Sequence, residues 1–93
     1  MKTATNNLPV SALPNLGPKS ALMLAEVGIR TIGELRAIGA VRAYARVKES
    51  GRKRGASLNM LWSLAAGLDG RGWQDVSEEE KERLASEYRA LRR

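Results

Sequence analysis

The chain has 93 residues, of which 16 are Lys or Arg and 10 are Asp or Glu, so its formal net charge at pH 7 is +6. It contains no Cys and no His, which excludes Cys/His zinc sites, thiol chemistry and imidazole acid–base catalysis. A chain of this length forms one domain without a deep cleft between lobes. We therefore expect a binding module and not an enzyme, with no metal, no other cofactor and no small-molecule substrate.

Residues 1–10 are predicted to be a flexible lead-in, and residues 11–93 a single helical domain. The first seven residues are polar and lack the apolar centre of a signal peptide. No later apolar run approaches the roughly 20 residues that span a bilayer. The sequence therefore predicts a cytoplasmic protein that makes no membrane contact.

Residues 13–20 read Leu-Pro-Asn-Leu-Gly-Pro-Lys-Ser and predict the start of a first helix. Pro18 suits the opening helical position, and Gly17 is predicted to permit a sharp entry. The free amide groups of this helix start, beside Lys19 and Ser20, form a candidate site for an anion such as a nucleic-acid phosphate. The alternative is that these residues only turn and cap the helix.

A second helix, Ile32 to Ile38, follows a second tight junction. Gly28 is placed where a helix ends in the left-handed conformation. Thr31 and Glu34, three residues apart, predict a capping box for the new helix. The sequence therefore predicts helix, hairpin, helix.

A third helix is predicted from about Ala40 to Glu49, with Arg42 and Arg46 one turn apart on its solvent side. A basic loop follows and contains Arg52, Lys53 and Arg54. Helix and loop together form a candidate stripe for nucleic-acid phosphates. The alternative for the loop is a solvated charge cluster without a contact.

The fourth helix, from the N-cap Ser57 to about Leu68, is the strongest core segment. Its expected apolar face consists of Leu58, Leu61, Trp62, Ala65 and Leu68. Trp73 follows in a Gly-flanked link, where it either covers the core or is an exposed anchor for a partner. We expect both tryptophans in the core.

Ser77 and Glu80 predict a second capping box, which begins the last helix, Glu78 to about Leu91. This helix is expected to face the core with Leu84, Tyr88 and Leu91. No segment shows the alternation of a strand. The predicted fold is all-α, a compact bundle of about five short helices that is helix-hairpin-helix-like.

Three segments together resemble a known family, the C-terminal domain of the competence regulator TfoX. They are Leu13 to Ser20, Gly28 to Val41, and Ser57 to Leu64 with Trp73. The Gly-Ile-Arg-Thr-Ile-Gly-Glu-Leu run also resembles the C-terminal domain of the bacterial RNA polymerase α subunit. The resemblance implies an all-α fold related to helix-hairpin-helix domains and a role in transcription. One departure is Asn15, where DNA-binding hairpins typically have a first glycine.

Charge points to a polyanionic partner, because residues 1–74 carry a net +7 and residues 75–93 a net −1. We predict weak, sequence-nonspecific binding of the DNA backbone by an accessory to transcription or competence regulation. The alternative is an adaptor that docks on a transcription regulator or RNA polymerase without contacting DNA. The predicted nucleic-acid-binding residues are Gly17, Lys19, Ser20, Arg30, Arg42, Arg46, Arg52, Lys53 and Arg54.

Overall fold

The structure is a computed structural model that describes residues 6–50 and 57–91. Five complete α-helices and two single-turn 3₁₀ segments lie within these ranges. The helices are α1 Pro18–Ala25, α2 Ile32–Ile38, α3 Ala40–Glu49, α4 Leu58–Leu68 and α5 Glu78–Leu91, and the 3₁₀ segments are Val10–Ala12 and Trp73–Asp75. The described ranges contain no β-strand, which confirms the all-α prediction.

Helix α4 lies at the centre of the core and packs against α3, α5 and the second 3₁₀ segment. Leu61, Leu64 and Ala66 are fully buried. Trp62 is buried as expected, but Leu58 is exposed, because the chain around the start of α4, residues 57–59, faces solvent as a whole. The apolar content of α4 was therefore predictable, whereas the extent of its buried face was not.

Helices α3 and α5 pack through Tyr44 and Tyr88, whose ring centroids lie 5.0 Å apart in an edge-to-face arrangement. Burial raises the pKa of Tyr44, and the neighbouring Tyr88 raises it further. Leu84 is buried as predicted, whereas Leu91, in the last turn of α5, is 40% exposed. The core contact of α5 therefore ends before its last turn.

Helix α1 is short and buries only Leu24 fully. The apolar pattern of residues 18–27 predicts that Leu22 also lies on the buried face, but Leu22 is 61% exposed. Two junctions flank α1. We call residues 13–17, which precede α1, the first junction, and residues 26–31, which separate α1 from α2, the second junction. They position the candidate site.

The N-terminal segment packs beside the second junction through an isolated antiparallel bridge between Pro9 and Thr31. The Val10 amide donates to the Arg30 carbonyl at 3.1 Å, and the Ile32 amide donates to the Leu8 carbonyl at 2.9 Å. Val10 belongs to the core. Residues 8–10, assigned to the lead-in by sequence, thus contact the helical body, and residues 1–5 lie outside the described ranges.

Helix α4 contacts the first junction at Gly67. A Cβ atom at this position would lie 2.7 Å from the carbonyl oxygen of Pro14, closer than a real Cβ contact allows. The backbones of α4 and the junction are therefore in direct contact, and only glycine fits between them without a shift.

No helix in residues 6–50 and 57–91 is long and apolar enough to cross a membrane.

Candidate nucleic-acid interface

The left-handed residue of the first junction is Asn15, with φ 72°, and not Gly17. Gly17 has φ −87° and ψ −173°, an extended conformation open to any residue. The prediction that Gly17 permits the sharp entry is therefore wrong. The sharp turn falls on Asn15 because asparagine tolerates positive φ better than most residues.

Both ends of the Asn15 side-chain amide bind the loop that follows α4. Its Nδ2 donates to the Arg71 carbonyl at 2.9 Å, and its Oδ1 accepts from the Trp73 amide at 3.1 Å. These partners are 56 and 58 residues away in the sequence. The asparagine in place of the usual hairpin glycine thus directs its side chain onto the loop at residues 71–73.

Residues 17–20, which we call the α1 start, have backbone amides that nothing in the helix satisfies. Gly17 is the N-cap, with no side-chain capping bond, and the first turn contains no acidic residue. The Ala21 amide donates to the Gly17 carbonyl at 3.0 Å, so the amides of Lys19 and Ser20 precede the first helical hydrogen bond. A Cβ at Gly17 would meet nothing within 4 Å. The α1 start is therefore open to an approaching anion.

The second junction contains the predicted capping box. The Glu34 amide donates to Thr31 Oγ1 at 3.1 Å, and Glu34 Oε1 accepts from the amides of Arg30 at 2.7 Å and Thr31 at 3.1 Å. These two backbone bonds lower the pKa of Glu34, that from Arg30 most. Gly28, with φ 86°, ends α1 in the left-handed conformation as predicted. The start of α2 therefore already holds an anion of its own.

The predicted cationic residues divide between the two ends of α1. Lys19 is exposed at the α1 start, whereas Arg46 Nη1 approaches the Val27 carbonyl at 3.5 Å, beyond the other end. Eight helical residues span about 12 Å. Arg42 lies one turn before Arg46 on α3, and Arg30 follows α1, both exposed. The basic loop of Arg52, Lys53 and Arg54 lies outside the described residues.

The loop before α5 is neutralised by its own charges. Arg71 binds Asp69 at 3.1 Å and Glu80 at 2.9 Å, and Glu80 also forms the predicted capping box with Ser77, with both bonds at 3.1 Å. The Arg71 bond, followed by the Ser77 amide, lowers the pKa of Glu80. Because Arg71 is paired with two carboxylates, we do not expect it to bind phosphate.

Trp73 is 42% exposed, so the expectation that it lies in the core is wrong. Its backbone amide donates to Asn15 Oδ1, and its 3₁₀ segment packs against α4. Sequence reasoning missed the bond to Asn15 because no local pattern reports a partner so far along the chain.

Comparison with known proteins gives a family match over residues 6–88, to the TfoX C-terminal domain. The chain is 43% identical over 72 residues to the DNA transformation protein TfoX of Haemophilus influenzae, covering 77% of this chain and 32% of that protein. It is 37% identical over 65 residues to DNA polymerase IV of Caulobacter vibrioides, covering 70% of this chain and 14% of that protein. The chain thus spans only a minor part of either relative.

Two solved structures from Listeria monocytogenes are similar in fold. An uncharacterized protein aligns with a TM-score of 0.77 at 27% identity, covering 90% of this chain and 93% of that chain. A protein of unknown function aligns with a TM-score of 0.76 at 28% identity, covering 87% of this chain and 98% of that chain. The arrangement of helices is therefore shared almost end to end.

Proposed function

The chain belongs to the TfoX C-terminal domain family, and from this premise we propose that it is a non-enzymatic module that binds the DNA backbone weakly and without sequence preference. It acts as an accessory to transcription or competence regulation, through a contact of the helix-hairpin-helix kind. The observation that carries the proposal is the α1 start, where backbone amides without a capping side chain, an exposed lysine and the open space at Gly17 occur together.

The α1 start favours an external phosphate for electrostatic reasons. A helix start carries a partial positive charge, and the amides of Lys19 and Ser20 are its natural donors. The side chain of Lys19 adds a full charge, and no carboxylate in the first turn opposes it. At α2 the carboxylate of Glu34 lies against the helix start, where it accepts from the amides of Arg30 and Thr31, and Thr31 Oγ1 accepts from the Glu34 amide. One of the two helix starts is thus available to DNA.

A single duplex can reach both ends of α1. DNA carries one negative charge per about 1.7 Å of its axis, so phosphates lie within reach of Lys19 and, about 12 Å away, of Arg30 and Arg46. Contacts of this kind position a protein on DNA and read no sequence. The net charge of +6 adds a long-range attraction to the polyanion.

The relatives support a DNA-related role. A DNA transformation protein and a DNA polymerase each contain a segment similar to this chain. The similarity covers 32% of the first protein and 14% of the second, so it concerns one segment of each. Backbone binding without sequence choice is compatible with both.

The proposal is tested by titrating two fluorescent duplexes of unrelated sequence at two salt concentrations. We expect similar affinities for both duplexes and a steep loss of affinity with salt. Lys19→Glu should weaken binding to both and lower the log–log salt slope by about 0.9 for the lost contact. Lys48→Glu, the same charge change at an exposed position of α3, is the matched control. Equal weakening by both variants would assign binding to net charge and contradict a site at the α1 start.

Docking on a transcription-related protein without DNA contact is a second candidate function. The exposed ring of Trp73 favours it, because aromatic side chains are enriched at protein interfaces. The neighbouring acidic residues, Asp75 and Glu78, disfavour contact of this ring with phosphate. Binding of a regulator or RNA polymerase fragment would then resist salt, while the duplexes above would not bind.

A further inference from the structure

Asn15 has a backbone conformation and a side chain that together require asparagine. Its φ of 72° lies in the left-handed region, which glycine, asparagine and aspartate tolerate best. Its Nδ2 donates to the Arg71 carbonyl, and its Oδ1 accepts from the Trp73 amide. Glycine has no side chain for these two bonds, which we call the Asn15 clamp, and an ionised aspartate cannot donate. Asparagine therefore supplies what neither alternative does.

The loop that receives the Asn15 clamp is itself fixed to two core helices. The Arg71 amide donates to the Ala66 carbonyl of α4 at 2.9 Å, and the Arg71 guanidinium binds Glu80 in the first turn of α5 at 2.9 Å. Val76, which ends the 3₁₀ segment, is buried. A bond to this loop therefore connects the first junction to both α4 and α5.

The first junction has little support of its own. The Leu16 amide donates to the Leu13 carbonyl at 3.4 Å, which is long for a bond of this type. Leu16 is buried, and the Pro14 carbonyl faces Gly67, so these two residues attach the junction on its core side. Asn15 lies between them, two residues before the N-cap of α1. The Asn15 clamp is thus the polar attachment of the turn that leads into α1.

We propose that Asn15 is a positioning residue for the phosphate contact of the α1 start, an inference that rests on the proposed function. Asn15 acts without touching DNA, because both polar atoms of its side chain are bound to the loop. The clamp keeps the turn in one conformation and so fixes the direction in which Lys19 and Ser20 present their amides. Without the clamp only a fraction of the molecules has this conformation, and the measured affinity falls by that fraction.

Two variants remove the clamp from opposite sides. Asn15→Gly permits the same φ and deletes the side chain, whereas Trp73→Pro deletes the amide hydrogen that Oδ1 accepts. Proline suits this position, because Trp73 begins its 3₁₀ segment and Gly72 before it has φ −73° and ψ 152°, the extended conformation that proline requires of its predecessor. Trp73→Ala, which deletes the ring and keeps the amide, is the matched control.

The variants are titrated with the same two duplexes at the same two salt concentrations. We expect Asn15→Gly and Trp73→Pro each to weaken binding about threefold to tenfold, and Trp73→Ala to leave it nearly unchanged. The double variant should bind no more weakly than the weaker single variant, because the clamp is lost only once. The log–log salt slope should stay that of the wild type, in contrast to Lys19→Glu, because no phosphate contact is removed.

Two measurements on the free proteins separate positioning from loss of fold. Far-UV circular dichroism and urea unfolding identify conditions in which every variant is folded, and the titrations are made there. NMR relaxation should show larger backbone motion at Leu16, Lys19 and Ser20 in both clamp variants and not in Trp73→Ala. Unchanged motion at these amides would overturn the inference.

The binding data can also overturn it. If Asn15 replaces a hairpin glycine through its φ alone, Asn15→Gly binds as tightly as the wild type or more tightly. Equal weakening by Trp73→Ala and Trp73→Pro would assign the effect to the ring and not to the amide. Failure of the wild type to bind either duplex contradicts the proposed function and this inference with it, whereas wild-type binding that both clamp variants retain overturns this inference alone.

Discussion

The two junctions that flank α1 achieve similar turns by different means. Each has one residue with positive φ, Asn15 in the first and Gly28 in the second, and each precedes a helix start. The second is stabilised by Glu34, which binds the amides three and four residues before it. The first is stabilised by hydrogen bonds between the Asn15 side chain and a loop 56 to 58 residues away in the sequence. A junction that supplies its own anion places a carboxylate beside its helix start, whereas a junction that is held by a distant loop leaves its helix start without a carboxylate.

The largest expected effect is at Asn15, because its substitution removes the long-range support of the first junction. Asn15→Ala should cost about 2–4 kcal/mol, from a strained positive φ and two lost hydrogen bonds. Asn15→Gly keeps the backbone conformation and should cost less, the difference measuring the strain alone. Urea unfolding of both variants checks this. Equal stability of Asn15→Ala and the wild type would show that the loop does not support the junction.

Gly67 tests the same junction from the side of α4. Gly67→Ala should destabilise the protein by about 1–3 kcal/mol, because the new Cβ would lie 2.7 Å from the Pro14 carbonyl oxygen. Gly33→Ala in α2 is the matched control, since its Cβ would meet Asn6 at 3.0 Å, a contact that a smaller displacement relieves. Thermal melts should rank the two in this order. The reverse order would mean that the first junction is free to move away from α4.

Thr31 tests the local stabilisation of the second junction. Thr31→Ala removes the bond to the Glu34 amide and should cost about 0.5–2 kcal/mol, while Thr31→Ser keeps the hydroxyl and should cost less. The measurement is a urea titration followed by circular dichroism. A urea unfolding curve of Thr31→Ala identical to that of the wild type would show that this cap does not stabilise the fold.

Low pH should destabilise the second junction by protonating Glu34, and this loss of stability should be the smallest of the predicted effects. Its pKa is lowered in the folded state, so its contribution to stability is present above its unfolded pKa and is lost as the pH falls through its folded pKa. Melting temperature should therefore drop less steeply below about pH 4.3 in Glu34→Gln than in the wild type. The control is Glu82→Gln on the exposed face of α5. If the melting temperature of Glu34→Gln falls with acid as steeply as that of the wild type, Glu34 makes no such contribution to stability.

Sequence predicts the local features of this fold well. Both capping boxes, Thr31 with Glu34 and Ser77 with Glu80, are formed as expected, because donor and acceptor are three residues apart and a helix fixes their geometry. The left-handed Gly28 is confirmed for the same reason.

What sequence does not predict depends on how helices pack. Periodicity places Leu22 and Leu91 on apolar faces, but packing partners end before they reach either residue. Trp73 is 42% exposed, although its backbone amide is bound by a residue 58 positions away. The sequence likewise predicts Lys19 at a helix start and Arg46 on a basic stripe but gives no distance between them, and their positions at opposite ends of α1 follow only from the contact between α1 and α3.

The distance in sequence between Asn15 and Trp73 also has a consequence for folding kinetics. Their hydrogen bond closes a loop of 58 residues, and the chain entropy of that closure must be offset before the bond can form. The cap at Thr31 requires ordering of only four residues and has no such barrier. We therefore expect the bond of Asn15 to form after the transition state, so that its strength affects the rate of unfolding more than the rate of folding.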